Sequence, residues 1–204
     1  FSVMEEVYHK ADERVDLVLF LNGLAIFAIE LKCNTSGKSY KDAIKQYKEE
    51  RDATTRLFKT KVGVFAAFAM DLNEAYFTTE LKGTDTFFNP FNIGENFGKG
   101  NPHNEDGLNV SYMWENIWMK DKILFLIERF IYIKKKETIN ADTGKIKESK
   151  VLIFPRFHQL RAVERVMNDV IVNHTSCNYL IEHSAGSGKT ETISWLAHIL
   201  ATVH

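Results

Sequence analysis

The sequence is poor in cysteine and lacks long apolar runs, and each shortage excludes a class of protein. Its two cysteines, Cys33 and Cys177, stand far apart and in no metal-binding spacing. A disulfide-stabilised secreted scaffold is therefore excluded, and a reducing cytoplasm fits better. No run of about 18 apolar residues occurs, so no membrane-spanning helix is predicted, and no signal peptide is visible.

An excess of positive charge is also lacking. The formal net charge is −1, whereas many DNA-binding proteins are basic overall, so any contact with nucleic acid must come from a local patch. The apolar fraction of 45% is ordinary, so the 204 residues can form one large core or two small ones. Because the chain opens at Phe1 and ends at His204, just after a predicted helix, we expect it to be a piece of a longer protein.

Two apolar β-like runs give the clearest local signal. Residues 15–21 and 24–31 are apolar at nearly every position, and Asn22-Gly23 lies between them. An Asn-Gly pair between apolar runs predicts a tight β-hairpin. Because the runs do not alternate with polar residues, both strands are expected to be buried on both faces, at the centre of a sheet.

The remaining pattern favours an α/β fold, with a mixed sheet flanked by helices. The predicted elements are a helix over 40–57, strands over 62–69 and 74–79, one or two helices over 112–133, a helix over 159–173, and a short strand over 178–182 followed by a glycine-rich loop and a helix. The charged segment 136–150 is interpreted as a linker or hairpin at a domain boundary. It separates a first domain, 1–135, from a second unit, 151–204.

Three charged residues interrupt or follow the two apolar runs. Asp16 lies in the first run, Glu30 lies near the end of the second, and Lys32 follows two residues later. Burying such charges is costly unless they pair or bind a metal. Carboxylates on adjacent strands can hold Mg²⁺, and a lysine on the same face can orient water or neutralise charge on a phosphate. The pattern predicts a metal-dependent phosphodiesterase site, and the alternative is a set of solvated or ion-paired charges.

The hairpin turn decides whether the two carboxylates share a face. A two-residue Asn22-Gly23 loop with regular pairing puts Asp16 opposite Ile29, and the carboxylates then point to opposite faces. A three-residue loop puts Asp16 opposite Ala28 and makes Asp16 and Glu30 diagonal neighbours on one face. We therefore predict the three-residue loop or an equivalent bulge.

A second motif, over residues 183–190, matches the end of a Walker A phosphate loop. In such a loop, the backbone N–H groups of a glycine-rich turn and the start of the following helix surround phosphate oxygens. Lys189 would reach the β- and γ-phosphates of ATP, and Thr190 would hold Mg²⁺. The first position of the consensus is glycine, but His183 stands there. The alternative is a turn that merely joins two elements. The motif reads His183-Ser184-Ala185-Gly186-Ser187-Gly188-Lys189-Thr190.

Upstream of this loop, Gln159 follows Phe154-Pro155-Arg156-Phe157-His158. The arrangement resembles the adenine-reading motif of superfamily-two helicases, in which a glutamine amide both donates to and accepts from the adenine edge. We assign these upstream residues and the loop to one ATP site. Its members are Arg156, Gln159, Gly186, Ser187, Gly188, Lys189 and Thr190.

The segment 38–61 is locally basic, with eight Lys or Arg against four Asp or Glu. A helix there would contact DNA phosphates without reading sequence, through Lys41, Lys45 and Lys48. The alternative is an ordinary solvated helix face. In the same helix Gln46 is a candidate to hydrogen-bond near the metal site.

Taken in order, these blocks resemble the N-terminal part of the R (HsdR) subunit of Type I restriction–modification enzymes. The resemblance extends to Ala43-Ile44-Lys45-Gln46-Tyr47, Asn89-Pro90-Phe91-Asn92, Gly100-Asn101-Pro102 and Ser111-Tyr112-Met113-Trp114-Glu115. It implies a PD-(D/E)xK restriction-endonuclease-like domain that uses Mg²⁺. Asp16 and Glu30 would be its metal ligands, and Lys32 its catalytic lysine.

The resemblance also implies the start of a RecA-like, superfamily-two motor from residue 151, which uses ATP with Mg²⁺ to translocate double-stranded DNA before cleavage. Methyltransferase (M) and specificity (S) subunits would be partners, in a prokaryotic cytoplasm, in defence against unmethylated foreign DNA. The family often carries Gln-x-x-x-Tyr on the helix after the lysine. Here Tyr47 directly follows Gln46, and Glu50 takes the usual Tyr position.

Two other functions stay open at this stage. The first is a helicase whose front domain has the nuclease fold but only clamps DNA, which a metal held between Asp16 and Glu30 would argue against. The second is a P-loop NTPase that does not act on nucleic acid. Salt-dependent DNA binding would argue against it.

Overall fold

A computed structural model describes residues 1–96, 98–139, 146–173 and 177–202 of the chain. The described residues form eight strands and four α-helices. The strands are β1 (Ser2–Lys10), β2 (Glu13–Leu21), β3 (Leu24–Leu31), β4 (Ala66–Met70), β5 (Ala75–Thr78), β6 (Asn89–Pro90), β7 (Tyr132–Ile139) and β8 (Ile146–Ile153). The helices are α1 (Tyr40–Glu49), α2 (Lys120–Arg129), α3 (Phe157–Asn173) and α4 (Lys189–Leu200).

The first six strands form one mixed sheet, in the order β1-β2-β3-β4-β5-β6. Neighbouring strands are antiparallel except β3 and β4, which are parallel. The chain passes through α1 between β3 and β4, as a parallel crossover requires. This confirms a mixed α/β fold with helices flanking the sheet, and it is compatible with a nuclease-like fold. The apolar hairpin, β2 and β3, lies inside the sheet as predicted.

The hairpin turn differs from the predicted three-residue loop. Leu21 pairs directly with Leu24, so the loop has only two residues. Asn22 and Gly23 have φ of 49° and 79°, and both central residues of a type I′ turn need positive φ. Asparagine tolerates this region better than most side chains do, so the tight turn forms without including Leu21.

A β-bulge directly beyond the turn shifts the pairing of β2 and β3 by one residue. It thereby reverses the change in side-chain direction that the two-residue turn alone would cause. Phe20 pairs with Ala25, but Leu19 pairs with Phe27, so Ile26 is an extra residue on β3. The prediction of a three-residue loop is therefore wrong, and its stated alternative, an equivalent bulge, is confirmed.

The sheet is covered on both faces. On one face, α1 and the following segment pack through Ala43, Tyr47 and Phe58 against residues of β2, β3 and β4. On the other face a larger, aromatic cluster joins Phe27, Phe68 and further residues up to Ile199. The strands between these clusters bury side chains in both directions, which explains their continuous apolar sequence.

Phe154, which follows β8, packs on the aromatic face of the sheet. Its ring lies 5.8 Å from Phe27, 6.1 Å from Phe68, 5.1 Å from Phe77 and 5.9 Å from Phe91, between ring centroids. The predicted unit 151–204 therefore shares an apolar core with residues of the predicted unit 1–135.

Strands β7 and β8 form an antiparallel ribbon in and beside the segment that was interpreted as a linker or hairpin. Residues 140–145 of that segment lie outside the described residues. The boundaries drawn at 135 and 151 stay predictions.

Several predicted elements differ in the structure. The strand predicted over 62–69 begins only at Ala66, and the helical region predicted over 112–133 ends at Arg129, with β7 beginning at Tyr132. Helix α1 ends at Glu49, although a helix to 57 was predicted, because Asp52 Oδ1 accepts hydrogen bonds from the backbone N and the hydroxyl of Thr54. Such local bonds compete with helix formation. The segment 178–182 is not a strand, because a strand needs a neighbour and no described strand pairs with it. Its Leu180 is 95% exposed.

The edge strand β1 was not predicted, because most of its residues are exposed and it carries little apolar pattern. It pairs along its length with β2 and so places β2 in the interior of the sheet. Among the described residues, no helix combines the length and apolar character that crossing a membrane requires.

Replacing Phe154 by alanine is expected to lower the free energy of unfolding by about 3–5 kcal/mol, because the substitution opens a cavity in the aromatic core. Urea unfolding followed by circular dichroism measures this change. The matched control is Phe87→Ala, since Phe87 is 71% exposed and its loss should change stability by at most about 0.5 kcal/mol. Equal unfolding midpoints for the two variants would show that residues beyond 150 do not stabilise the sheet.

Candidate metal centre and phosphate loop

Asp16 and Glu30 lie close together at the end of the central hairpin. Their strands pair as far as Leu17 and Ile29, and the negative charge of Asp16 acts on the Glu30 carboxyl. The diagonal arrangement of the two carboxylates on one face stays a prediction. Asp16 is held in place by the backbone N–H of Leu31, which donates to its Oδ2 at 2.7 Å.

The Glu30 carboxylate is fully buried and is bonded on one side only. Arg51 donates to its Oε1 from Nε at 2.8 Å and from Nη2 at 2.5 Å. Among the described residues, no donor hydrogen-bonds its Oε2. The ammonium of Lys32 lies 3.7 Å from this second oxygen, so Lys32 is on the face that the Glu-x-Lys spacing predicts.

Burial raises the pKa of the Glu30 carboxyl to about 7, and the nearby charge of Asp16 adds to the rise, while Arg51 and Lys32 act in the opposite direction. The group is therefore balanced between its neutral and ionised forms near neutral pH. A divalent cation favours the ionised form, so cation binding and proton release from Glu30 are coupled.

Tyr47 lies beneath this site on the buried face of α1. Its side chain has no exposed surface, and among the described residues no group hydrogen-bonds its hydroxyl. Burial, and then the charge of Glu30, raise the pKa of Tyr47 well above its ordinary value, so the phenol is neutral. Gln46 is half-buried, and its side chain has no partner in the described part of the chain. In a Gln-x-x-x-Tyr pattern that ends at Tyr47, the position of the glutamine is occupied by Ala43.

The donor atoms at this site fit Mg²⁺. Mg²⁺ prefers oxygen ligands and is commonly bound through one or two carboxylates while it keeps several waters. Asp16 and Glu30 supply two neighbouring carboxylates, and the buried Oε2 of Glu30 has no hydrogen-bond donor among the described residues. Within the described residues no group of three or more His, Cys, Asp or Glu side chains is placed to hold a metal. The described residues therefore do not surround a metal ion completely. They fit a Mg²⁺ ion that is bound by two carboxylates and keeps some of its waters.

The three candidate DNA-binding lysines share the outer face of α1. The buried residues of this helix are Ala43 and Tyr47, and helical spacing puts Lys41, Lys45 and Lys48 on the opposite side. Lys45 lies 3.9 Å from Glu49 in an exposed pair. The structure does not bring these lysines into contact with Asp16 or Glu30, and their role stays a prediction.

The phosphate-loop sequence forms a glycine-rich turn that leads directly into α4. Gly186 and Gly188 have φ of 73° and 82°, a region that favours glycine. Lys189 opens the helix and donates from Nζ to the carbonyl oxygens of Ser184 at 2.8 Å and His183 at 3.1 Å. The predicted loop and helix are both present, and Thr190 is exposed in the first helical turn.

Two residues upstream of the loop that were assigned to the ATP site, Arg156 and Gln159, also contact the loop. Gln159 donates from Nε2 to the carbonyl of Gly188 at 2.8 Å, and Arg156 donates from Nη1 to that of Gly186 at 3.4 Å. A Cβ at position 188 would lie 2.5 Å from Gln159 Nε2, so a side chain there would displace the end of Gln159. Ser187 is buried, and its hydroxyl has no partner among the described residues. The structure thus brings the predicted ATP-site residues together, but against the loop backbone.

Sequence reasoning missed Arg51, the residue in closest contact with Glu30. The helix predicted over 40–57 offered a signal, because Ala43, Tyr47 and Arg51 are spaced four residues apart, which marks a single face of a helix. In the structure α1 ends at Glu49, and Arg51 lies in the segment that follows it. Arg51 was counted only as part of a basic segment, since no motif contains it.

Comparison with known protein families gives one match. Residues 1–86 match the family model described as Type I restriction enzyme R protein N terminus (HSDR_N). The resemblance to the N-terminal part of an R subunit is confirmed by this match. The matched stretch contains Asp16, Glu30, Lys32 and Arg51 and ends before the phosphate loop. Searches among curated proteins and among solved structures gave no match.

The raised pKa of Glu30 predicts a pH-dependent effect of the substitution Glu30→Gln. The unfolded chain has a carboxyl pKa near 4.5, and the folded chain about 7, so the folded state binds the proton more tightly. The stability that this gives is complete below pH 4.5 and is lost as the pH rises through 7. Without metal, the wild type should therefore lose roughly 2–4 kcal/mol relative to Glu30→Gln between pH 4.5 and 8.

Chemical unfolding in EDTA at a series of pH values measures this difference. Glu137→Gln, on the exposed ribbon strand β7, is the control and should give no such trend. A constant difference between wild type and Glu30→Gln across the pH range would show that the carboxyl has an ordinary pKa in the folded chain.

Proposed function

On the premise that its first 86 residues belong to the Type I R-protein N-terminal family, we propose that this chain cleaves double-stranded DNA in a Mg²⁺-dependent reaction. It would act as part of the R subunit of an ATP-dependent Type I restriction enzyme. The observation that supports this most strongly is the fully buried carboxylate of Glu30, close enough to Asp16 that the charge of Asp16 acts on it. Lys32 lies 3.7 Å from Glu30.

In the proposed PD-(D/E)xK site, each side chain has a separate task. Asp16 and Oε2 of Glu30 would hold the cation. When bound, Mg²⁺ would polarise the scissile phosphodiester and lower the pKa of a water. Lys32 then directs its ammonium to the phosphate, where it neutralises the negative charge that develops as the water attacks.

A second part of the proposal concerns nucleotide binding at residues 183–190. Lys189 already lies over the loop and donates to the carbonyl oxygens of His183 and Ser184. Phosphate oxygens of ATP can take the place of these carbonyls as hydrogen-bond acceptors. Thr190 would contact the Mg²⁺ that accompanies ATP. In the full subunit this loop would belong to a RecA-like motor that translocates DNA. Hydrolysis further needs an acidic residue that positions magnesium and water.

The proposed partners follow from the same assignment. Double-stranded DNA would pass along the outer face of α1, where Lys41, Lys45 and Lys48 would contact phosphates. The M and S subunits would supply recognition of the methylation state and sequence, because contacts to phosphates alone carry no sequence information. The setting would be the prokaryotic cytoplasm, in defence against foreign DNA.

The nuclease assignment predicts that Asp16→Asn and Lys32→Ala each lower Mg²⁺-dependent nicking of supercoiled plasmid by about 100-fold or more, since each removes charge stabilisation at the reacting phosphate. Single-turnover nicking is measured for wild type and variants with Mg²⁺ and with EDTA. Lys59→Ala, an exposed lysine on the loop after α1, should cut like wild type. Equal nicking rates in wild type and all three variants would show that Asp16 and Lys32 do not form the catalytic site. DNA binding without any nicking would instead favour a clamp.

The nucleotide assignment predicts that Lys189→Ala weakens binding of a fluorescent ATP analogue by roughly 10–100-fold, the value of one or two charge-assisted hydrogen bonds. Fluorescence titration gives the dissociation constants, again with Lys59→Ala as the matched control. Identical affinities for wild type and Lys189→Ala would mean that the loop only joins two elements.

A further inference from the structure

The guanidinium of Arg51 grips only one oxygen of the Glu30 carboxylate. Both Nε and Nη2 donate to Oε1, at 2.8 and 2.5 Å. An arginine that faces a carboxylate often bonds both oxygens in parallel, with one donor to each oxygen. Here one oxygen receives both donors, and the other is left for a different partner.

The second oxygen, Oε2, is buried without any hydrogen-bond donor among the described residues. The Glu30 side chain has no exposed surface, and the Arg51 side chain is only 6% exposed. A buried anionic oxygen without a donor is costly and needs a cation or a proton. The nearest described cation on that side is Lys32, at 3.7 Å, which is beyond hydrogen-bond distance.

The backbone beside Arg51 is anchored, so its guanidinium is not a mobile surface arm. The N–H of Asp52 donates to Glu13 Oε2 at 3.0 Å, and the carboxylate of Asp52 lies 3.3 Å from Lys10 Nζ. Lys10 is the last residue of β1 and Glu13 is the first residue of β2, and the two pair with each other. Arg51 therefore approaches Glu30 from a position that the sheet itself fixes.

We propose that Arg51 is a positioning residue: by holding Oε1 of Glu30, it keeps Oε2 presented beside Asp16 as a ligand for a divalent cation. The proposal rests on the proposed function, since it concerns the same metal centre, and it adds a residue that the PD-(D/E)xK pattern does not contain. Arg51 acts through Glu30 and does not touch the cation or the DNA.

The charge of Arg51 and its two-donor geometry have opposite effects on a cation. The positive charge repels a second cation, whereas the two hydrogen bonds fix the ligand that receives it. Arg51→Lys separates the effect of the charge from that of the hydrogen bonds, because lysine keeps the positive charge but lacks the planar pair of donors. Positioning predicts weaker cation binding in this variant, and simple charge compensation predicts no change.

The experiment titrates Mn²⁺ into the whole 204-residue chain and measures binding by electron paramagnetic resonance of the free ion. Arg51→Lys is expected to weaken Mn²⁺ binding by about 10–100-fold, as loss of a group that orients a metal ligand does. Unchanged or tighter binding would overturn the proposal. Arg51→Gln is the second variant should Arg51→Lys not fold: weaker binding supports positioning, and equal or tighter binding refutes it.

Two controls separate failure of this inference from failure of the metal centre itself. Asp16→Asn must abolish Mn²⁺ binding; if it does not, or if the wild type binds no Mn²⁺, the proposed nuclease site fails and Arg51 has no metal ligand to position. If Asp16→Asn abolishes binding but Arg51→Lys and Arg51→Gln bind like wild type, only the role of Arg51 is wrong. Arg56→Ala, an exposed arginine five residues later, should bind Mn²⁺ like wild type.

Discussion

The closeness of the Asp16 and Glu30 carboxylates at the end of the central hairpin is the constraint on which the rest of the site depends. Burial makes Glu30 costly to ionise and the neighbouring charge of Asp16 adds to that cost, as the raised pKa of Glu30 reflects. The surrounding structure offsets this cost unevenly: Arg51 satisfies one oxygen of Glu30, and the Leu31 amide satisfies one of Asp16. A divalent cation would relieve what remains, so the same arrangement that destabilises the free site favours its loading.

That the hairpin needs a departure from regular pairing was predictable, but the form of that departure was not. Reasoning from the turn showed that a regular two-residue loop would separate the carboxylates, so a correction had to exist. The chain makes that correction by a bulge at Ile26, not by a longer loop. The type of a turn depends on the residues in the turn itself, and Asn22 and Gly23 favour the tight turn. A bulge depends on packing at both faces of the sheet, which no short sequence pattern encodes.

Local patterns were more reliable than those that depend on distant partners. The start of α4 at Lys189 and the positive φ values of Gly186 and Gly188 follow from the loop sequence alone. The segment 178–182 has strand-like residues, but it has no described strand to pair with and so remains irregular. Arg51 and Phe154 show the same limit, because Arg51 matters through Glu30, 21 residues away, and Phe154 through rings on β3, β4 and β5.

X-ray diffraction from crystals soaked in Mn²⁺, with data collected near the manganese absorption edge, tests the central claim most directly. The account predicts an anomalous peak between the Asp16 carboxylate and Oε2 of Glu30, with Arg51 still bonded to Oε1. A peak at any other site, or none at saturating Mn²⁺ while Asp16 and Glu30 keep their positions, would contradict it.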